Sequence, residues 1–320
     1  MNMTGILSKL IHSKWLVAGI ALIILIVLAL VPAFGNLAFK IMLITILMYL
    51  IMTVAWAMFS GPTGYISLAP AAFLGIGMYT AAVFGKDLPF SVLIIVAALF
   101  TFLAALIVGA VTLRLKGIYF TIFTFGLVFL IQQLLTWVEI KFTHTRGRFV
   151  VVVDNDMIYY HMLAILVITL LTAVFINRSK WGRALRSIGQ DEDAASHTGV
   201  NVTMVKVLTF GLTSMFIGAA GAAIATRLTY IDPGSAFNIN YSFFPVIMAI
   251  FGGMRNLYGP ILGAVIFAYL EETLITQFPY YYMLIFGTVM VVVIMFLPDG
   301  LIGLWQKWRR GGRQKKHANT

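Results

Sequence analysis

Apolar runs of membrane-crossing length follow one another along this chain with only short polar breaks between them, and that recurrence limits the fold more than any other feature. A bilayer core about 30 Å thick is crossed by roughly 20 apolar residues in a helix. Inside hydrocarbon only helices or closed barrels satisfy their own backbone groups. The runs are continuous rather than alternating, so they read as helices. Of 320 residues, 61% are hydrophobic and 10% charged, with a mean hydropathy of +0.98. The reading is therefore an all-α polytopic membrane protein of about ten transmembrane segments, some discontinuous, with residues 1–306 as the membrane domain, a polar helix-bearing segment at 178–203 and a basic tail at 307–320.

In order, the expected spans are Trp15 to Val31, Leu37 to Phe59, Tyr65 to Phe84, Pro89 to Leu113, Gly117 to Trp137 and Met157 to Asn177. Val205 to Ala225 follows, then a short run from Phe243 to Phe251, a span opened by Gly259-Pro260, and a last one from Tyr280 to Leu297. Span one is too long for a signal-peptide core and lacks a small-x-small site after it, so it is expected to stay in the protein. Gly61-Pro-Thr-Gly64 reads as a turn-forming break. Span three carries Pro70 inside it together with Gly75 and Gly77, which frees backbone groups and calls for an interior position. Gly252-Gly253 marks a second interruption, and Gly218-Ala-Ala-Gly221 is a small-residue stripe suited to close helix packing.

Orientation follows from charge. With the N-terminus, the 60–64 turn, 114–116, 178–206, 252–256 and the C-terminus on one side, that side holds sixteen Lys and Arg residues against six on the other. The bias places both termini and the 178–206 segment on the cytoplasmic side of the membrane.

The segment Trp181 to Asn201 is the longest polar island in the chain. Asp191, Glu192 and Asp193 suit the first turn of a short helix, His197 its last turn, and Gly199 the position just beyond. Ala194 and Ala195 would give it a small-residue surface that another protein could approach. An ordinary solvated loop is the plainer alternative, since charge runs usually are solvated faces.

Enzymatic chemistry finds little support. No Gly-x-x-x-x-Gly-Lys-Ser/Thr run is present, so no bound cofactor is expected in this chain and any ATP use must come from a partner. The five histidines, at 12, 144, 161, 197 and 317, lack ligand spacing, and there are no cysteines. Glu271 and Glu272 are the candidate intramembrane carboxylates, and snorkelling toward the outer interface is the favoured reading for them. If they were instead coupling groups, the chain would be a stand-alone ion-coupled carrier; an assembly subunit without a pathway is a third possibility. Thr121, Thr124, Gln132 and Gln133 on span five, and Tyr65, Ser67 and Tyr79 on the broken span, suit either interhelical hydrogen bonding or the lining of a path.

Five segments in the same order carry a family resemblance: Gly64 to Thr80, Gly117-Ile-Tyr-Phe120, Gly182-Arg-Ala-Leu-Arg-Ser-Ile-Gly-Gln-Asp-Glu-Asp-Ala-Ala195, Gly252-Gly-Met-Arg-Asn-Leu-Tyr-Gly-Pro-Ile-Leu-Gly-Ala264 and Phe296-Leu-Pro-Asp-Gly-Leu301. Together they resemble the LivM-type permease subunits of bacterial branched-chain amino acid ABC importers. The resemblance implies two ATP-binding subunits, a second related permease subunit and an extracytoplasmic solute-binding protein, with no nucleic acid. It implies ATPase coupling through Gly182, Arg183, Leu185, Arg186, Gly189, Asp191, Glu192, Asp193, Ala194, Ala195 and Gly199. Arg183 and Arg186 would anchor the helix, and Glu192 and Asp193 would meet basic residues across the interface. Pathway or hinge roles are expected for Tyr65, Ser67, Pro70, Gly75, Gly77, Tyr79, Thr121, Thr124, Gln132, Gly252, Gly253, Gly259 and Pro260. The sequence departs from the family pattern at Tyr65-Ile-Ser-Leu-Ala-Pro70 and at Thr143-His-Thr-Arg-Gly-Arg148, which leaves the solute open between branched-chain amino acids and related small polar molecules such as amides and urea.

Overall fold

A computed structural model describes residues 14–254 and 256–282, with 284, 285, 287, 288, 291, 300, 301 and 303 beyond them. The last expected span, the basic tail, Lys9 and Arg255 lie outside the described residues, apart from those few positions. Within them the chain is a helical membrane protein: seven helical stretches, one of them the broken run Pro233–Gly252, are long and apolar enough to cross a bilayer, and two shorter apolar ones accompany them.

Helix α1 (Lys14–Phe34) is followed by α2 (Leu37–Thr63), α3 (Pro70–Phe84), α4 (Phe90–Thr112) and α5 (Ile118–Val138), which ends in a π turn at Glu139–Thr143. Then come α6 (Asn155–Arg178), the two polar helices α7 (Lys180–Gln190) and α8 (Glu192–His197), and α9 (Val202–Ala225). Two short helices, α10 (Pro233–Ala236) and α11 (Asn240–Gly252), precede α12 (Tyr258–Gln277). A two-residue ladder pairs β1 (Arg148–Phe149) antiparallel with β2 (Tyr230–Ile231).

Of the helices long enough to cross a bilayer, α2 and α9 are the most buried, and the short α3 packs beside α9. Their contacts rest on glycine. A Cβ on Gly77 of α3 would overlap the Gly218 carbonyl of α9, and one on Gly221 would overlap the Leu74 carbonyl. Backbones this close gain the dispersion energy that binds helices where lipid competes equally for apolar side chains. The stripe Gly218 to Gly221 thus packs as its composition requires. Gly77, taken as a pathway or hinge residue, belongs to the same seam. Gly75 makes a different close contact, since a Cβ there would enter the ring of Phe237 just after α10.

Two boundaries differ from expectation. α2 does not break at Gly61: it continues through Pro62 to Thr63 and stops at Gly64, whose φ of 73° is the left-handed cap that glycine adopts without strain. Pro70 does not interrupt a helix either. It starts α3 at the first helical position, where its missing N–H costs nothing. The interruption is the non-helical stretch Tyr65–Ala69 between the two helices.

Loops sort to two ends. Gly61 meets Met254, Gly189 meets Pro62, and Lys116 faces Asp193, which gathers the 61–64, 113–116, 177–206 and 254–257 segments at one end. Lys40 pairs with Asp156 at 2.6 Å, and the 148–149 and 230–231 strands meet, at the other. Among the described residues, the four inner segments of the charge count thus share one end.

Candidate functional site

The interrupted stretch and the polar island form one site at the first of these ends. Tyr65–Ala69 has no ladder or helix to satisfy its backbone, and side chains of three helices supply the partners instead. Thr121 of α5 donates to the Ile66 carbonyl at 2.8 Å, and Trp56 of α2 donates through Nε1 to the Ser67 carbonyl at 2.7 Å. Ser242 of α11 donates to the Leu68 carbonyl at 2.8 Å and accepts from the Ala71 N–H at 3.0 Å. Thr124 accepts from the Leu68 N–H at 3.0 Å, and the Ser67 hydroxyl accepts from Ala69 N–H at 3.3 Å. Irregular backbone at membrane depth survives only where protein satisfies it. Thr121 and Thr124, left between packing and pathway, are engaged in that task. Trp56 and Ser242 share it and were missed, because nothing in sequence ties them to a stretch 11 and 174 residues away.

The island folds as two helices rather than one. In α7, Gly182, Leu185 and Ile188 recur every three residues and are buried, so one face of this polar helix lies on the ends of the spans. A Cβ on Gly182 would overlap the Ile176 carbonyl, and one on Gly189 the Pro62 carbonyl. Gly182 and Leu185 are buried against the chain itself, whereas Gly189 approaches Pro62 closely yet stays exposed beside it. Arg183 and Arg186 are exposed, and Arg186 Nη1 donates to Asn177 Oδ1 at 2.6 Å. Ser179 caps the start of α7, its hydroxyl accepting from the Gly182 N–H at 3.3 Å.

Helix α8 is the expected short helix. Asp191 caps it, its carboxylate accepting from the N–H groups of Asp193 and Ala194 at 2.9 and 3.0 Å. Those bonds, Ala194 first, hold its carboxyl below the usual carboxylate range. Gly199 follows the helix at φ 85°. Ala194 and Asp193 are exposed, but Ala195 is fully buried, so the small-residue surface is narrower than the sequence indicated. Asp193 lies 3.4 Å from Lys116.

Glu192 is not free for a partner. Its Oε1 accepts from Lys206 Nζ of α9 at 2.5 Å and its Oε2 from the Tyr65 hydroxyl at 2.5 Å. Burial pushes this carboxyl up, but the Lys206 and Tyr65 hydrogen bonds and the Lys206 charge outweigh it and hold it below its usual range. Lys206, only 3% exposed, also donates to the Leu113 carbonyl at 3.0 Å and to the Tyr65 oxygen at 3.3 Å. A groove of about 630 Å³ opens beside this site between the ends of α2, α6 and α12 and helix α7, with Pro62, Asn177, Arg186, Gln190 and Asn256 among its walls.

The remaining expected positions are dispersed. Tyr79 is buried toward the other end, where its hydroxyl donates to Glu139 at 3.4 Å. Glu139, 1% exposed, also accepts from the Gly147 N–H at 2.8 Å and Arg148 Nε at 3.3 Å and so ties down the loop after α5. Gln132 is half-buried on α5. Gly252, Gly253 and Gly259 make the tight α11–α12 junction, where a Cβ on Gly252 would overlap the Gly259 carbonyl and Gly253 has φ 99°; Pro260 is buried beside them. Glu271 does not snorkel: it is 7% exposed, with the Tyr49 hydroxyl donating to Oε1 at 3.3 Å, because its position on α12 faces α2 rather than the interface. Among the described residues no group of three or more His, Cys, Asp or Glu could hold a metal ion.

Comparison with known proteins gives the same picture from outside. The family model for branched-chain amino acid transport system / permease components matches residues 38–294. The high-affinity branched-chain amino acid transport system permease protein LivM of Salmonella typhimurium is 27% identical over 290 residues, 80% of this chain and 68% of the relative. LivH of Escherichia coli, from the high-affinity branched-chain amino acid transport system, is 27% identical over 143 residues, 44% of each chain, and the fructose import permease protein FrcC of Rhizobium meliloti 30% over 118 residues, 36% of this chain and 33% of the relative. No solved structure matches. A match across residues 38–294, from α2 through α12 and beyond, makes this chain a member of the family of branched-chain amino acid transport system permease components.

Proposed function

We propose that the chain is one of two permease subunits of an ABC importer in a bacterial inner membrane, carrying branched-chain amino acids or related small polar solutes into the cytoplasm. Two partner subunits bind ATP and magnesium, a second related permease subunit completes the membrane unit, and an extracytoplasmic protein delivers the solute. The single observation that carries the reading is the two-faced polar island. One face of α7 and α8 is sealed onto the ends of the spans, and the other presents Arg183, Asp193 and Ala194 outward at the end where the basic residues gather. The mechanism is alternating access: closure of the ATP-binding subunits moves α7 and α8 and tilts the spans attached to them.

The test is isolation of the tagged chain from native membranes with its companions, followed by leucine uptake into vesicles with ATP inside or outside. Uptake that needs ATP on the α8 side and is abolished by Ala194→Trp, with the variant still inserted, is the expected outcome. Normal uptake by the variant would sink the role of α8. Glu271, buried within α12, is the one observation favouring an ion-coupled carrier; uptake driven by an ion gradient in vesicles holding this chain alone, and lost in Glu271→Gln, would establish that second reading.

A further inference from the structure

Tyr65, Glu192 and Lys206 are separated by 127 and 14 residues in sequence, yet they close a triangle in which no polar group is left over. The ammonium of Lys206 has three N–H donors and three acceptors: Glu192 Oε1 at 2.5 Å, the Leu113 carbonyl at 3.0 Å and the Tyr65 oxygen at 3.3 Å. The Tyr65 hydroxyl gives its own proton to Glu192 Oε2 at 2.5 Å, so each carboxylate oxygen holds one short bond. The Lys206 nitrogen also sits 4.6 Å from the Tyr65 ring centre, and that ring meets Phe120 edge-on at 5.5 Å. Charge-assisted bonds in a partly buried site are the strong ones, and removing one partner strands the buried Lys206.

What the triangle joins is informative. Glu192 is the first residue of α8, the outward-facing polar helix, and Tyr65 is the first residue of the stretch whose backbone hangs on Thr121, Trp56, Ser242 and Thr124. A closed triangle resists shear where a single bond would pivot. Building on the function proposed above, we infer that Tyr65, Glu192 and Lys206 are positioning residues that make α8 move as one body with the interrupted stretch and the start of α9, so that a push on α8 is passed through Tyr65 to the non-helical segment that leads into α3. Glu192 acts inside the chain, and contact with the partner falls to its exposed neighbours.

The experiment is hydrogen exchange on the complex isolated with its companion subunits, with and without ATP, in the natural chain and in Tyr65→Phe, which removes one oxygen and keeps the Lys206–Glu192 pair. In the natural chain ATP is expected to shift exchange over 190–198 and 65–69 together. In Tyr65→Phe the response at 65–69 is expected to fall at least fivefold while that at 190–198 persists. Lys206→Met, assembled in the same way, is expected to act likewise. A merely bracing role would raise exchange in both stretches without nucleotide and leave the ATP response intact, and that result would overturn the inference. So would a natural chain whose 65–69 stretch ignores ATP. A complex without an ATP-hydrolysing subunit would instead retire the proposed function, and this inference with it.

Discussion

Replacing Ser242 by Ala removes one oxygen and leaves two backbone groups without partners. The Ser242 hydroxyl bridges the Leu68 carbonyl at 2.8 Å and the Ala71 N–H at 3.0 Å, and Ser242 itself is fully buried. The two groups face a fully buried side chain, so losing the hydroxyl leaves both unpaired. Interhelical hydrogen bonds in membrane proteins average about 0.6 kcal/mol and reach about 1.7 kcal/mol, so two of them set the loss between about 1.2 and about 3.4 kcal/mol. At roughly 2–4 °C per kcal/mol for chains of this order, the melting midpoint drops by roughly 2–14 °C. The assay is the fraction of detergent-solubilised protein that still elutes as a single species after heating. Thr276→Ala is the control, since its hydroxyl bonds only to the Glu272 carbonyl of its own helix at 2.8 Å and is exposed. Its shift should stay within about 0.5 kcal/mol. If Ser242→Ala melts no lower than Thr276→Ala, the claim that α11 supports the interrupted stretch is wrong.

Gly77→Ala should lower the same midpoint, because its methyl group would enter the Gly218 carbonyl and overpacking of this kind costs about 1–3 kcal/mol; Gly126→Ala, with nothing within 4 Å, should leave it unchanged or raise it slightly through helix propensity. Acidification should unfasten α8 from its start. The Asp191 carboxyl is held below its ordinary value of 3.8, so its cap is in place above that value and is lost as pH falls through the lower folded value, which amide exchange at Asp193 and Ala194 measures. Protection already lost at neutral pH would refute the cap.

Much of the fold could be read from the chain because the bilayer makes length and hydropathy decisive. The helices at 37–63, 90–112, 155–178 and 202–225 lie close to where apolar runs placed them, and Asp191 and Gly199 delimit α8 as cap chemistry requires. The error at Pro70 was avoidable, since proline favours the first turn over the interior and Ala69 had no helix to continue. The burial of Ala195 and Glu271 was not readable. A six-residue helix has too few turns to reveal its inner face, and α12 is apolar nearly all round, so its periodicity does not say which side meets α2. The triangle of Tyr65, Glu192 and Lys206 was equally hidden, because each residue has an ordinary local reading and only the fold brings them together.

Helix α3 also bears on how the protein is made. Its 15 residues span about 22 Å, short of a bilayer core of about 30 Å, and the stretch before it depends on hydroxyls at Thr121, Thr124 and Ser242 that leave the ribosome long after it. Residues 65–84 therefore cannot settle in lipid as an independent unit when they are synthesised. They must wait beside the insertion machinery, or at the water boundary, until α5, α9 and α11 arrive. The order of translation thus differs from the order of assembly: α2 and α4 enter first as free-standing spans, and the short α3, packed along most of its length in the finished protein, is among the last to reach its place.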